Sequence, residues 1–378
     1  MIHGSRTNKQ GPSLPAHHDG AVTLYRAFYF FLFFFILWFY STAVTAQEQP
    51  TDHSIRLYLK WSHQFQFAGY YAAKEKGYYT EEGLDVQFIE KRPELLADQA
   101  LLTGQADYAI MDGTVLVKQA QGEPIKIVAA VFQHSPLIFL TLKQSGIRTV
   151  HDLVGKRIMF DKEEDALLTA MLKHAGISDK QYIHIADDYR LADLIEGKVD
   201  AISAYMIDQP DILDKLGYDH YIIDPASYGL DIYGDMLITS NAEISNNKNR
   251  VIAFKRASLR GWEYALKHPD EIIELMISKY DPSLSVDHQH YIARQTRLAI
   301  APSLVQIGTI DPLRLQATAN IYSDLGMIPA GFDISQSYLL PPPAVAMVGQ
   351  PDQYTCSNPA DQPRLPCDTA IPAATETK

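Results

Sequence analysis

The residues best suited to chemistry lie in one short run, LKWSHQFQFAGYYAAKEKGYY, residues 59–79. Here Trp61, His63, Gln64 and Gln66 stand between a predicted strand, IRLYLKW (55–61), and a predicted helix, AGYYAAKEK (68–76). A core segment would lack the amides, and a solvent loop would lack the aromatics. The mixture suits a surface that is dry yet must hydrogen-bond something, as the lining of a small-molecule pocket must. Other polar and aromatic groups recur where predicted strands end: Asp112 before Gly113 and Thr114, Gln133 before His134 and Ser135, Glu164 in the acidic run 161–164, and Tyr205 to Gln209 with Asp208. Tyr228, Asp231 and Tyr233 fall on a later apolar crossing.

In an open α/β sheet, ligands bind beyond the carboxyl ends of the strands. The candidate ligand-binding set is therefore Trp61, Gln64, Gln66, Phe67, Asp112, Gln133, Glu164, Tyr205, Asp208, Asp231 and Tyr233. Trp61, Phe65, Phe67, Tyr205 and Tyr233 offer flat faces, each stacking contact contributing about 0.5–1.5 kcal/mol beyond its buried area. The amides and carboxylates offer directional donors and acceptors. No basic cluster accompanies them in sequence, which disfavours a strongly anionic solute, although a helix N-terminus could hold one phosphate. Structural alternatives stand beside these roles. Trp61, Phe65 and Phe67 could be core, Tyr70 and Tyr71 packing, and His63 a cap or surface residue. Asp208 could be the N-cap of a helix with Pro210 in its first turn.

Catalytic signatures are missing. The chain has no glycine-rich phosphate loop, no histidine pair at metal-ligand spacing on a helix, and no Gly-x-Ser-x-Gly turn. HQH at 288–290 reads as a solvated helix face rather than a metal site. No metal or cofactor is expected, and the balance favours binding over catalysis.

These residues need a scaffold, and the pattern supplies one. Strands are predicted at 55–61, 84–90, 106–112, 125–132, 135–144, within 149–160, and at 182–186, 199–205 and 221–225. Helices are predicted at 68–76, 93–103 with Pro93 at its start, 114–122, 166–176, 189–198, 208–217, 250–267, 269–280 and 313–325. Such alternation implies parallel strands flanked by helices. The rhythm restarts after SPLIFLTLKQ (135–144), which YGLDIYGDMLITS (228–240) resembles in length and apolarity. The expectation is two α/β lobes, 52–143 plus 229–340 and 144–228, with these crossings as the hinge.

The ends of the chain differ from its body. Arg6, Lys9 and Arg26 precede the apolar run AFYFFLFFFILWFY, and TAVTA ends at Ala46, which predicts a signal peptide over residues 1–46. The alternative is an uncleaved anchor, since the charge-free stretch from Ala27 to Gln47 is long enough to span a bilayer. Either reading exports the remainder. Both cysteines, Cys356 and Cys367, lie in a Pro- and Thr-rich tail (341–378) that reads as disordered and could pair only as a local staple. With 47% apolar residues a real core is expected, and a net charge of −12 argues against nucleic acid.

KWSHQFQFAGYYAAKEKGYYTEEGLDV resembles the opening signature of the thiamine-precursor (pyrimidine) substrate-binding proteins, as do GQADYAIMD, FQHSPLIFLTLKQSGIRTVHDLVGKRI, AYMIDQP and YGLDIYGDMLITS in the same order. The resemblance spans about residues 55–325. It implies the type II periplasmic binding protein fold, a monomer that closes on a small heteroaromatic solute, and a partner that is an ABC-transporter permease or a membrane sensor protein. An enzyme branch of that family makes the thiamine pyrimidine from its own histidine and a pyridoxal-phosphate-linked lysine. It carries Trp-x-x-Asn-x-Asn-His-x-Gly and a cysteine-rich motif. Here the run is Trp61-Ser-His-Gln64-Phe-Gln66-Phe67-Ala-Gly69. Phe67 replaces the donor histidine and no cysteine cluster exists, which opposes the synthase reaction. Gln64 and Gln66 replace the two asparagines, so the preferred ring is left open.

Overall fold

A computed structural model of the chain describes residues 54–186 and 190–339. The predicted signal peptide, the predicted tail and both cysteines lie outside the described residues. Two five-stranded mixed sheets form two lobes. In the first, β1 (Ser54–Tyr58), β2 (Asp85–Ile89), β3 (Tyr108–Met111) and β4 (Ile125–Ala130) are joined by β10 (Met236–Ser240) in the order β2-β1-β3-β10-β4. In the second, β5 (Leu137–Leu142), β6 (Arg157–Met159), β7 (Ile183–Ile185), β8 (Ala201–Tyr205) and β9 (His220–Ile223) run in the order β7-β6-β8-β5-β9. The strands that follow one another through helices are parallel, whereas β10 and β5, which enter each sheet from the other lobe, are antiparallel to their neighbours.

That arrangement moves the expected lobe boundary. Leu137–Leu142 pairs with β8 and β9, so 137–142 belongs to the second lobe instead of the first. β10 likewise occupies only the last part of the 228–240 crossing. The interlobe segments are residues 131–136 and 229–235, which bond to each other: Ser135 N donates to Ile232 O (3.0 Å), Gly234 N to Phe132 O (3.1 Å) and Phe132 N to Asp235 O (3.0 Å).

The first lobe is held by helix packing at a very close crossing. Helix Ala68–Glu75 presents Gly69 to helix Lys248–Lys267, which presents Gly261 and Trp262 in return. A Cβ on Gly261 would lie 2.0 Å from Gly69 O, and one on Gly69 would lie 2.1 Å from Trp262 Cγ. Only hydrogen fits at either position, and the contact buries Tyr70, Tyr71 and Trp262 in a core shared with Phe254 and Tyr79.

Two expectations about helices need correction. The segment 93–103 is helical only over Ala97–Leu102. The buried Tyr58 hydroxyl accepts from Arg92 N (2.8 Å) and donates to Leu95 O (2.6 Å), fastening a tight turn where Pro93 was expected to start the helix. The helix Val286–Ile300 has no counterpart in the helices predicted from sequence, and its HQH is no solvated face. Gln289 is buried and accepts from Phe65 N (2.7 Å), and His288 bonds to the other lobe.

Candidate functional site

The loops after β1, β2 and β3 of one lobe face those after β6 and β8 of the other, and a cleft partly open to solvent lies between them. Its position beyond the carboxyl ends of parallel strands is where such sheets bind ligands. Of the residues singled out from sequence, Trp61, Gln64, Gln66, Asp112, Glu164, Tyr205 and Asp208 line it.

The run after β1 sorts its side chains by alternation. Phe65–Phe67 forms a single 3₁₀ turn. Gln64 and Gln66 face the cleft, while Phe65 and Phe67 are fully buried in the first-lobe core. Phe67 is therefore a core residue, corrected from the ligand-binding set. Trp61 is half-buried along the cleft and packs against the same core. His63 turns away from the cleft and packs between Tyr71 and Tyr280, its Nδ1 2.7 Å from Tyr71 Oη.

Three other candidates lie elsewhere. Gln133 is buried in the interlobe segment, its Nε2 donating to Ala130 O (3.1 Å) and Thr309 O (3.3 Å). Asp231 pairs with His134 Nδ1 (2.8 Å) and Arg314 (3.1 Å) on the outer face of the crossings. Tyr233 is buried beneath Arg314 and accepts from Asp311 N (2.8 Å). Each follows or lies in a crossing segment, but the antiparallel pairing of the crossings turns these side chains toward the C-terminal helices, away from the cleft.

A buried polar cluster forms the cleft floor. Lys60 Nζ donates to Asp112 Oδ2 (3.0 Å) and to the Tyr205 hydroxyl, lies over the Tyr205 ring at 4.8 Å, and sits 3.7 Å from Asp235 Oδ1. Burial alone would lower the Lys60 pKa, yet the charge of Asp112 and the other anionic neighbours raises it well above its ordinary value. Burial would raise Asp112, but Lys60 outweighs it and holds this carboxyl low. Asp235, farther from the ammonium, is raised by burial, with Lys60 opposing only in part. One ammonium thus serves two carboxylates unequally. Tyr205 is raised well above its ordinary value, chiefly by burial.

Sequence reasoning missed Lys60, Lys91, Asp98, Lys118 and Ser203, which also line the cleft, as does Gln209 from the strand-end run Tyr205 to Gln209. The expectation that no basic groups gather there is corrected. Lysines do gather, but each meets a carboxylate: Lys60 with Asp112, Lys91 with Glu164, and Lys118 with Asp98 at 2.8 Å. Lys91 and Lys118 carried no signal, because their partners become neighbours only after folding. Counting Glu163, Asp165 and Asp208, six carboxylates face three lysines, so the lining remains acidic.

Several bonds join the lobes around the cleft. Lys91 pairs with Glu164, and Thr114 Oγ1 donates to Glu164 O (2.7 Å). Tyr291 donates to Met206 O (3.0 Å). Asp208 does not cap its helix with its side chain. Its carboxylate instead takes His288 Nε2 (2.8 Å) from the first lobe and Gln209 Nε2 (3.1 Å). No group of His, Cys, Asp and Glu suited to a metal occurs among the described residues.

Residues 64–272 match the family described as NMT1/THI5 like. The chain belongs to that family. It is 29% identical over 246 residues to a riboflavin-binding protein of Chloroflexus aurantiacus, covering 63% of this chain and 69% of that protein. It is 25% identical over 244 residues to a formylaminopyrimidine-binding protein of Halalkalibacterium halodurans, covering 63% of this chain and 74% of that one. Pyrimidine phosphate synthases occur among its relatives too, for example that of Legionella pneumophila at 22% identity, covering 75% of this chain and 90% of that enzyme. In fold it is similar to the periplasmic aliphatic sulphonate binding protein of Escherichia coli (TM-score 0.57, 18% identity, 77% of this chain and 93% of that one). It is similar as well to the periplasmic nitrate-binding protein of Synechocystis (TM-score 0.58, 13% identity, 74% and 83%). The two-lobed periplasmic binding protein fold expected from the sequence is the fold of this chain. Among the described residues, no helix is long and apolar enough to cross a membrane.

Proposed function

We propose that this protein is an exported solute-binding protein that closes its two lobes on a small heteroaromatic solute, a pyrimidine precursor of thiamine, and delivers it to an ABC transporter. The observation that carries this reading is the interlobe cleft in which Trp61 stands beside two buried glutamines. An aromatic face with amides at its edge binds a flat ring that carries hydrogen-bonding groups. The acidic lining and the pairing of each lysine favour a neutral or cationic solute over a strong anion. The names of the riboflavin- and formylaminopyrimidine-binding relatives support a heterocyclic solute. A binding role, not a synthase, accords with Phe67 in the core at the position that resembles the donor histidine.

Thermal-shift screening of the purified protein against thiamine pyrimidine precursors, thiamine, riboflavin and related heterocycles tests the reading. A ligand at one hundred times its Kd adds about 2.7 kcal/mol of stability. Trp61→Ala is expected to weaken the best ligand by at least about 1 kcal/mol while leaving the fold intact. Flavin binding alone would replace the pyrimidine and keep the transport role. A screen in which folded protein responds to no heterocycle would sink the proposal.

A further inference from the structure

The two cleft glutamines are not independent. Gln64 Nε2 donates to Gln66 Oε1 (2.6 Å), and Gln66 Nε2 donates to Asp235 Oδ2 (2.6 Å). Both donors are buried, Gln64 with 5% and Gln66 with 2% of its surface exposed. The chain of bonds therefore has a direction, set at its inner end. Asp235 receives Gln66 on one oxygen, while the other accepts from the Tyr205 hydroxyl (3.3 Å) and faces the Lys60 ammonium at 3.7 Å. A carboxylate surrounded by donors acts only as an acceptor. Gln66 must turn its NH₂ inward to it, which leaves the Gln66 carbonyl oxygen for Gln64, and Gln64 must turn its own NH₂ inward in the same sense. The outward end of the relay is then the Gln64 carbonyl oxygen. Gln64 makes no other side-chain hydrogen bond among the described residues.

We infer that Asp235 sets the hydrogen-bond polarity of the cleft without touching the solute. Through Gln66 it presents the Gln64 carbonyl as an acceptor, so the site selects a ring edge bearing an N–H donor, such as an exocyclic amino group, over one bearing a carbonyl. This deepens the heterocycle-binding reading above and rests on it. Asp235 is a positioning residue: it lies at the end of the 229–235 crossing, directly before β10, and is not part of the cleft lining. The surplus of carboxylates around the cleft points the same way, because they too accept from a donor-rich solute.

The relay can be reversed with one atom. In Asp235→Asn, the donors Lys60 and Tyr205 retain the amide oxygen on their side, which turns the new NH₂ toward Gln66. Gln66 then accepts inward, its NH₂ faces the Gln64 oxygen, and Gln64 presents N–H groups to the cleft. Calorimetry with a methyl-aminopyrimidine and with the pyrimidinone in which oxygen replaces the exocyclic amino group reads this directly. Wild type is expected to prefer the amino compound by about tenfold or more. Asp235→Asn is expected to abolish or invert that ratio, a change that a general loosening of the fold would not produce. Gln64→Leu, which removes the terminal acceptor together with its bond to Gln66, is expected to bring the ratio close to unity and decides the matter if Asp235→Asn does not fold. A folded Asp235→Asn or Gln64→Leu protein that keeps the wild-type amino preference overturns the assignment and leaves the heterocycle reading standing, as does a wild type that prefers the pyrimidinone. Folded wild-type protein that binds neither ring overturns the assignment and the pyrimidine of the proposed function, while a response to flavin would still keep the heterocycle reading.

Discussion

His288 joins the lobes through both ring nitrogens. Nε2 lies 2.8 Å from Asp208 Oδ1 and Nδ1 lies 2.5 Å from Asp211 Oδ2, with the histidine on the first lobe and both carboxylates on the second. Carboxylates accept and do not donate, so a ring that bonds to two of them is an imidazolium. Burial would lower its pKa, but the hydrogen bonds to Asp208 and Asp211 prevail and raise it above 6.5. Because the folded value is raised, the stabilisation is fully present below the unfolded pKa near 6.5 and is lost as pH rises through the folded value. The surrounding charges fix the magnitude. Asp211 is shared with Lys215 at 2.6 Å, so its bond to His288 is partly replaceable, whereas Asp208 is 5% exposed and, among the described residues, has Gln209 as its other side-chain partner. Tyr291 stacks on the imidazole at 6.5 Å and carries Arg294 at 6.0 Å from its ring. A hydrogen bond to a charged group contributes about 1.5–3 kcal/mol. Counting the Asp208 bond fully and the Asp211 bond at a fraction, His288→Gln should cost about 2–3 kcal/mol near pH 6. Chemical denaturation of both proteins near pH 6 and near pH 9 isolates the term. The gap between them should be largest at the lower pH and shrink at the higher. A gap equal at both pH values would mean that the ring is neutral, and the imidazolium bridge would be wrong.

Other perturbations follow from the same packing and charge arguments. Gly261→Ala gains about 1 kcal/mol of helix propensity but drives a methyl against the Gly69 carbonyl, so a net loss of about 2 kcal/mol or more is expected in urea unfolding. A stabilised variant would show that the helices separate freely. Lys60→Met leaves Asp112 and Asp235 without their cation and should destabilise by about 3–5 kcal/mol at neutral pH. Part of that loss should return as pH falls and the carboxyls protonate, and a pH-independent loss would contradict the pairing. Phe67→His should lower stability by about 2 kcal/mol or more through an unpaired buried imidazole, with no gain in solute affinity. An unchanged midpoint would place Phe67 at the surface.

The chain's local pattern determined a great deal. Alternating apolar segments placed most strands and helices within a few residues, because a period of two or of 3.6 marks which face of an element is dry. The restart after residue 144 foretold two lobes, and the rule that ligands sit beyond strand ends brought Trp61, Gln64, Gln66, Asp112, Glu164, Tyr205 and Asp208 to one cleft. What the pattern could not carry was direction and distant pairing. Gln66 and Phe67 are adjacent in sequence, yet one faces the cleft and the other the core, a choice made by a single 3₁₀ turn. Gln133, Asp231 and Tyr233 met the same strand-end criterion and were turned away by the antiparallel crossings. The cations of the cleft became legible only with their partners: Lys60 is 52 residues from Asp112, and Lys91 is 73 from Glu164. Asp235, 169 residues from Gln66, and His288, 80 from Asp208, had no local signature at all. Sequence periodicity records how each element meets water. Which charges meet one another depends on how the lobes are brought together, and that is decided by tertiary packing alone.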